Sequence, residues 1–264
     1  MKKIFYIFIF IITSKALFAL PCGNPASPHI IEEGLLISPA SWVNCRVGYE
    51  GNFVSNRRLK KSEFNNRIDH FEMDMNAGTF TVNVQNRLDL YAVGGEARMQ
   101  SYWRFVETNQ TPSRVEFETK YRWAWSGGAR AVFFDWGRTS LELGGRYLTS
   151  KPKVLWLTKN GTPIAFNKAK CHFSEWQLDL GIAYHADLFF PYLGIKYSRA
   201  KVRVSEIDAA IIGDEETHHV RMKNRRKVGM MLGCGVSNGK YFLLNIEARL
   251  FDEDAASVTG EFRF

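Results

Sequence analysis

From residue 115 the chain reads Val115-Glu116-Phe117-Glu118-Thr119-Lys120-Tyr121-Arg122-Trp123-Ala124-Trp125-Ser126-Gly127-Gly128-Ala129-Arg130-Ala131-Val132-Phe133, an alternation that continues to its end. Val115, Phe117, Thr119, Tyr121, Trp123, Trp125, Gly127, Ala129, Ala131 and Phe133 share one face of an extended chain, and the other face opens with Glu116, Glu118, Lys120 and Arg122. A period of two marks a strand. One register of roughly twenty residues is far longer than the usual strand of about 5 to 6. It suits a tilted transmembrane strand, which needs about 9 to 11 residues in the bilayer and can project beyond it.

Other segments repeat the device. Val43, Cys45, Val47 and Tyr49 alternate with Asn44, Arg46, Gly48 and Glu50, and Trp176, Leu178, Leu180, Ile182 and Tyr184 with Glu175, Gln177, Asp179 and Gly181. Later, Val228, Met230, Leu232, Cys234 and Val236 face away from Gly229, Gly233 and Gly235, and Phe242, Leu244, Ile246 and Ala248 away from Asn245, Glu247 and Arg249. Short polar turns at Asp135 to Arg138, Ala186-Asp187 and Ser237 to Lys240 intersperse with long polar stretches near 59–66, 107–113, 149–170 and 203–223. Short turns at one rim and long loops at the other are what an antiparallel transmembrane β-barrel has. Counting them predicts an all-β fold of about ten strands near 42–57, 67–83, 87–104, 114–134, 139–149, 172–185, 188–201, 224–236, 240–251 and 255–264, with eight or twelve as alternatives. An even count puts both termini at the periplasmic rim of a bacterial outer-membrane barrel. The last strand ends on aromatics, Phe262 and Phe264, the expected signal to the outer-membrane assembly machinery.

Composition excludes the competing classes. The apolar run from Ile4 to Ile12 is too short for a spanning helix, which needs about 20 residues. With 20 Phe, 10 Tyr and 7 Trp the chain is too aromatic to be disordered. Residues 1–19 read as a secretory leader: Lys2 and Lys3, an apolar stretch, then Leu17-Phe18-Ala19 before the cut. Losing Lys2, Lys3 and Lys15 takes the formal charge from +8 to +5, with acids interleaved, so nucleic acid is not an expected partner. A periplasmic segment over 20–41 and a barrel over 42–264 are expected to follow.

The even-numbered face and its counterparts predict a charged lumen. Pore-lining candidates are Arg46, Glu50, Glu116, Glu118, Lys120, Arg122, Arg130, Glu142, Arg146, Lys196, Glu247 and Arg249, with Glu261 and Arg263 facing the same way. Mixed signs at that density either line a narrow wet pore or pair into a network that fills it, and ten strands sit near the closed end of the barrel scale. Four cysteines, Cys22, Cys45, Cys171 and Cys234, would meet an oxidising compartment, and three pairings are open to them. Cys45 and Cys234 fall on outward faces of non-neighbouring strands, which leaves Cys22, ahead of the barrel, as the candidate for an intermolecular link, to a second copy or to another cysteine-bearing envelope protein. No G-x-S-x-G, phosphate-cradling glycine loop or HExxH occurs, so neither catalysis nor a cofactor or metal is expected. The Asp214-Glu215-Glu216-Thr217-His218-His219 stretch could bind a metal or build an omptin-like Asp/His site, but a solvated loop is the commoner use of such a run, as a turn is for His185-Ala186-Asp187.

Several blocks together resemble one family. Leu20-Pro21-Cys22-Gly23-Asn24-Pro25-Ala26, Arg46-Val47-Gly48-Tyr49 with Gly51-Asn52-Phe53-Val54, Gly128-Ala129-Arg130-Ala131, Ser150-Lys151-Pro152-Lys153-Val154, Glu175-Trp176-Gln177, Pro191 to Ala200, Glu247 to Glu253, Ala255-Ala256 and Phe262-Arg263-Phe264 are similar, in order, to segments of the chlamydial major outer membrane protein family of porins. The resemblance implies an outer-membrane barrel that passes ions and small solutes and, through cysteine cross-links, helps stiffen an envelope. Against the usual member this chain is shorter and has fewer cysteines.

Overall fold

The computed structural model describes residues 21–31, 34, 41–61, 68–105, 112–165, 169–207 and 219–264. The leader expected over 1–19 and residues 214–218 of the acidic, histidine-bearing stretch lie outside these. Among these residues one short helix, α1 (Ser27–Ile30), precedes fifteen strands: β1 (Val43–Arg57), β2 (Leu59–Lys61), β3 (His70–Val84), β4 (Leu88–Phe105), β5 (Ser113–Thr119), β6 (Arg122–Trp136), β7 (Thr139–Ser150), β8 (Val154–Lys159), β9 (Thr162–Pro163), β10 (Lys170–Tyr184), β11 (Phe189–Ser205), β12 (His219–Asn224), β13 (Val228–Ser237), β14 (Phe242–Leu250) and β15 (Glu253–Arg263).

Ten of them close into a ring in the order β1-β15-β14-β13-β11-β10-β7-β6-β4-β3, and β3 returns to β1. Every pairing is antiparallel. The closing seam is first strand on last, with Val47 opposite Phe262 and Phe53 opposite Ala256. Closure leaves no strand edge to face lipid, where each unpaired backbone group would cost several kcal/mol. Tight turns at Gln85–Asn86, Gly137, Asp187 and Gly239, all with positive φ, define one rim. At the other rim β2, β5, β8, β9 and β12 prolong the wall, with β12 bridging β11 and β2, and β5 bridging β4 and β8.

The outer surface carries an apolar band between two aromatic girdles. On β10 and β11 the band runs through Leu178, Leu180, Ile182, Leu193 and Ile195. Tyr49, Trp123, Trp125, Tyr147, Trp176 and Tyr197 border it toward the long-loop rim, and Trp42, Trp136, Tyr184, Phe189, Tyr241 and Phe262 toward the short-turn rim. From Trp176 to Tyr184 the band is nine residues deep, the depth that a tilted strand needs to cross a hydrocarbon core.

One expected strand is two. The run from 114 to 134 divides at Lys120-Tyr121 into β5 and β6. On β4 two residues, Arg98 and Met99, separate the partners of Arg122 and Glu118, whereas three residues separate Glu118 from Arg122. This is a one-residue bulge, and it exchanges the faces. Val115, Phe117 and Thr119 point inward, whereas Trp123 and Trp125 point out.

Candidate functional site

The barrel interior is filled in three layers. At the short-turn rim residues 21–31 enter the lumen rather than remaining outside it. Ala26, Ile30 and Ile31 pack on Ala183, Phe190, Tyr192 and Leu243. The rest of the plug is held by polar groups from strands around the ring. Cys22 and Gly23 N–H donate to the Glu247 carboxylate at 2.9 and 2.8 Å. Arg130 donates to the Cys22 carbonyl (2.9 Å), Arg146 to that of Pro21 (3.3 Å), Arg46 to that of Ser27 (2.8 Å) and Asn83 to that of Pro28 (2.9 Å), while Arg263 donates to that of Ile31. Asn24 reaches Asn245 at 3.2 Å. Gly23 has a φ of +91°, and a Cβ there would lie 2.0 Å from the Arg130 guanidinium, so this turn of the plug requires glycine.

The middle layer is ionic. Arg146 makes a two-pronged pair with Glu50 across the lumen at 3.0 and 2.8 Å. Arg46 pairs with Asp89 and, at 2.9 Å, with Glu261. Arg130 meets Glu142 at 3.1 Å, and Arg249 meets Glu247 at 3.0 Å. Lys196 sits between Asp252 (3.2 Å) and Glu253, brought in by the short β14–β15 turn; Gly229 leaves room for that turn, since a Cβ would lie 1.9 Å from Asp252. Arg57 on β1 spans to Glu175 on β10, half the ring away, with one bond at 2.6 Å. Buried charges are tolerable only when paired, and these are.

Above this the interior is apolar. Phe71 stacks on Phe173 at 6.1 Å between centroids, Trp103 meets Phe117 at 6.0 Å, and the Cys171 sulfur lies 4.0 Å from that of Met99. Phe71 and Met99 stand on β3 and β4, Phe173 and Cys171 on β10, so these contacts join separated walls. The expected lining set therefore splits. Arg46, Glu50, Arg130, Glu142, Arg146, Lys196, Glu247 and Arg249, with Glu261 and Arg263, come together inside the barrel. Glu116 and Glu118 do not: beyond the bulge they lie on the outer surface, where Glu116 pairs with Arg114 and Glu118 with Arg98, while Lys120 at the bulge and Arg122 at the start of β6 are exposed and outside the buried network. Arg57, Asp89, Glu175, Asp252 and Glu253 join the network without having been expected there.

The cysteines also differ from expectation. All four are free; Cys22 is buried in the plug and Cys171 in the apolar layer, so the position ahead of the barrel expected for Cys22 is corrected to one within it. Cys45 and Cys234 are half-buried on strands separated by β15 and β14, too distant around the ring to pair. Phe262 is exposed in the short-turn girdle, and the Phe264 N–H closes on the Cys45 carbonyl at 3.0 Å.

The profile of the Chlamydia major outer membrane protein family matches residues 158–217. The major outer membrane porin of Chlamydia trachomatis serovar D is 25% identical over 393 aligned residues, which cover 100% of both chains, and the serovar E porin of Chlamydia trachomatis matches equally. Among solved structures, the outer membrane protease OmpT from Escherichia coli aligns with a TM-score of 0.41 and 9% identity, over 84% of this chain and 93% of its own. The toluene transporter TbuX of Ralstonia pickettii aligns with a TM-score of 0.37 and 9% identity, over 95% and 96%.

Proposed function

We propose that this chain, which is similar over its whole length to the chlamydial major outer membrane porins, is a small outer-membrane porin whose bore is closed at the short-turn rim by its own N-terminal segment and passes only ions and small solutes when that segment withdraws. The observation that carries the reading is the way in which residues 21–31 are held. Their contacts with Glu247, Arg130, Arg146, Arg46 and Asn83 are reversible hydrogen bonds to backbone groups, not covalent links. Water can replace each of them, so plug release exchanges polar partners and uncovers only the small apolar cluster of Ala26, Ile30 and Ile31 on Ala183, Phe190, Tyr192 and Leu243. Behind the plug lie charges of both signs, which give no strong preference for either ion. The test is planar-bilayer conductance of the full mature chain beside one lacking residues 21–31. The full chain should show small, infrequent openings, and the truncated chain larger and more persistent ones.

A second reading, a barrel that serves envelope structure or surface contact without conducting, is favoured by the Phe71–Phe173 and Met99–Cys171 contacts across the upper lumen. Silence of both proteins in the bilayer would overturn the porin reading in its favour. On either reading the chain works without chemistry. Cross-links to a second copy or to another envelope protein, if they form, would use Cys45 or Cys234, because Cys22 and Cys171 are enclosed.

A further inference from the structure

The wall above the long-loop girdle is charged in two different ways on its two sides. Over β3, β4 and β5 the outward arginines are paired: Arg98 with Asp74 (2.6 Å) and Glu118 (3.2 Å), Arg104 with Asp69 (3.3 Å) and Arg114 with Glu116 (2.5 Å), and His70 lies against Glu72 (2.5 Å). Over β10, β11 and β12 they are aligned with their own kind. The pairing register sets His172, Arg203 and Arg221 side by side in one row, and Ser174, Lys201 and Lys223 in the next. A step nearer the membrane, Arg199 stands directly opposite the girdle residue Trp176. These cations are exposed, and among the described residues none of Arg199, Lys201, Arg203, Arg221 or Lys223 makes an ion pair; on this side Glu206 pairs with Lys170 (2.7 Å).

Like charges directly opposite on neighbouring strands destabilise a sheet. Two such pairs in succession, Lys201–Lys223 and Arg203–Arg221, ask for an anion between them. The rows form a groove of about 520 Å³ lined by His172, Arg199, Lys201, Arg203, Arg221 and Lys223. Arg presents a fork that matches phosphate and Lys a compact charge, which together suit a phosphate ester. Height chooses the source. Girdle aromatics sit at the level of lipid headgroups, and the groove begins at the residue paired with Trp176. A headgroup is thus within reach while its acyl chains lie along Leu178, Leu193 and Ile195 below.

We propose that this face binds the phosphorylated headgroup of an outer-leaflet lipid, which neutralises the two basic rows and fixes which side of the barrel holds that lipid. Native mass spectrometry of the full mature chain in neutral detergent tests it, with phosphatidic acid and phosphatidylcholine as probes. The first phosphatidic acid should bind at least about tenfold more tightly than phosphatidylcholine, since each basic residue near an anionic lipid surface contributes attraction. The variant Lys201→Gln/Arg203→Gln/Arg221→Gln/Lys223→Gln should lose that preference, whereas Arg98→Gln/Arg104→Gln/Arg114→Gln on the paired side should keep it. Relief of repulsion should leave the fourfold variant at least as heat-resistant in phosphatidylcholine as the parent. Equal binding of the two lipids by the parent chain overturns the proposal whether or not the variant folds, as does an unaltered preference in the variant. Displacement of bound phosphatidic acid by inorganic phosphate, or by heparin at matched charge, also overturns it, because the groove would then read phosphate or sulfate without a membrane.

Discussion

Gly23 occupies a left-handed conformation with the Arg130 guanidinium where a side chain would project. An alanine there meets both a backbone penalty of about 1 to 2 kcal/mol and the displacement of a pinned arginine. Gly23→Ala should therefore loosen the plug while leaving the barrel folded, and planar-bilayer recordings should show more frequent openings at unchanged heat-modifiable yield. Openings like those of the parent would mean that the plug is held elsewhere. Arg57 poses the opposite case. Its removal strands Glu175 and Glu253 in the interior, and breaking a buried pair costs about 3 to 5 kcal/mol. Arg57→Met should lower the urea midpoint of the folded barrel accordingly; an unchanged midpoint would show that water reaches these carboxylates. The basic and acidic residues of the middle layer were readable in sequence as the polar side of alternating strands. Arg57 and Glu253 were not, because each lies where a strand leaves the membrane and polar residues no longer identify the inward face.

That boundary explains the principal misreading among the elements. Inside the membrane the barrel is inverted, with apolar residues outward, while above it the wall is ordinary, with apolar residues inward. In β11 the exchange is visible: Leu193, Ile195 and Tyr197 face out, then Ala200, Val202 and Val204 face in, so the apolar positions change from odd to even within one unbroken strand. In the β5–β6 stretch the bulge at Lys120-Tyr121 shifts the backbone by one residue at the same boundary, and the two inversions cancel. Apolar parity then runs unbroken from Val115 to Phe133 although its meaning reverses, which is why Glu116 and Glu118 could not be placed from alternation alone. A shift of parity, as in β11, was the available sign of the extracellular extensions. The β1–β15 seam, by contrast, followed from closure itself. Deleting Phe264 removes the rim bond to Cys45 and little membrane-embedded pairing, so it should cost little stability once the barrel is folded. If the terminal aromatic is read by the assembly machinery, the heat-modifiable protein in outer-membrane fractions should nonetheless fall sharply. An undiminished yield would leave Phe264 as a girdle residue and no more.

Across the whole molecule the inversion produces two cores. The plug and ion pairs fill the membrane-embedded half, where lipid covers the outside, and the apolar layer around Phe71, Trp103, Phe117 and Phe173 fills the half that stands in water. A soluble domain buries such a layer for stability, at about 1.5 to 3 kcal/mol for each large side chain, and this half needs neither lipid nor plug to do so. The halves should consequently respond differently to loss of residues 21–31. Hydrogen exchange followed by mass spectrometry should find peptides near Ala183, Phe190 and Leu243 exchanging faster in the truncated chain, because their inward partners have gone. Peptides holding Phe71, Met73, Cys171 and Phe173 should keep their protection. Equal loosening at both levels would instead make the lumen one cooperative unit, in which the plug governs the extracellular core as well as the bore beneath it.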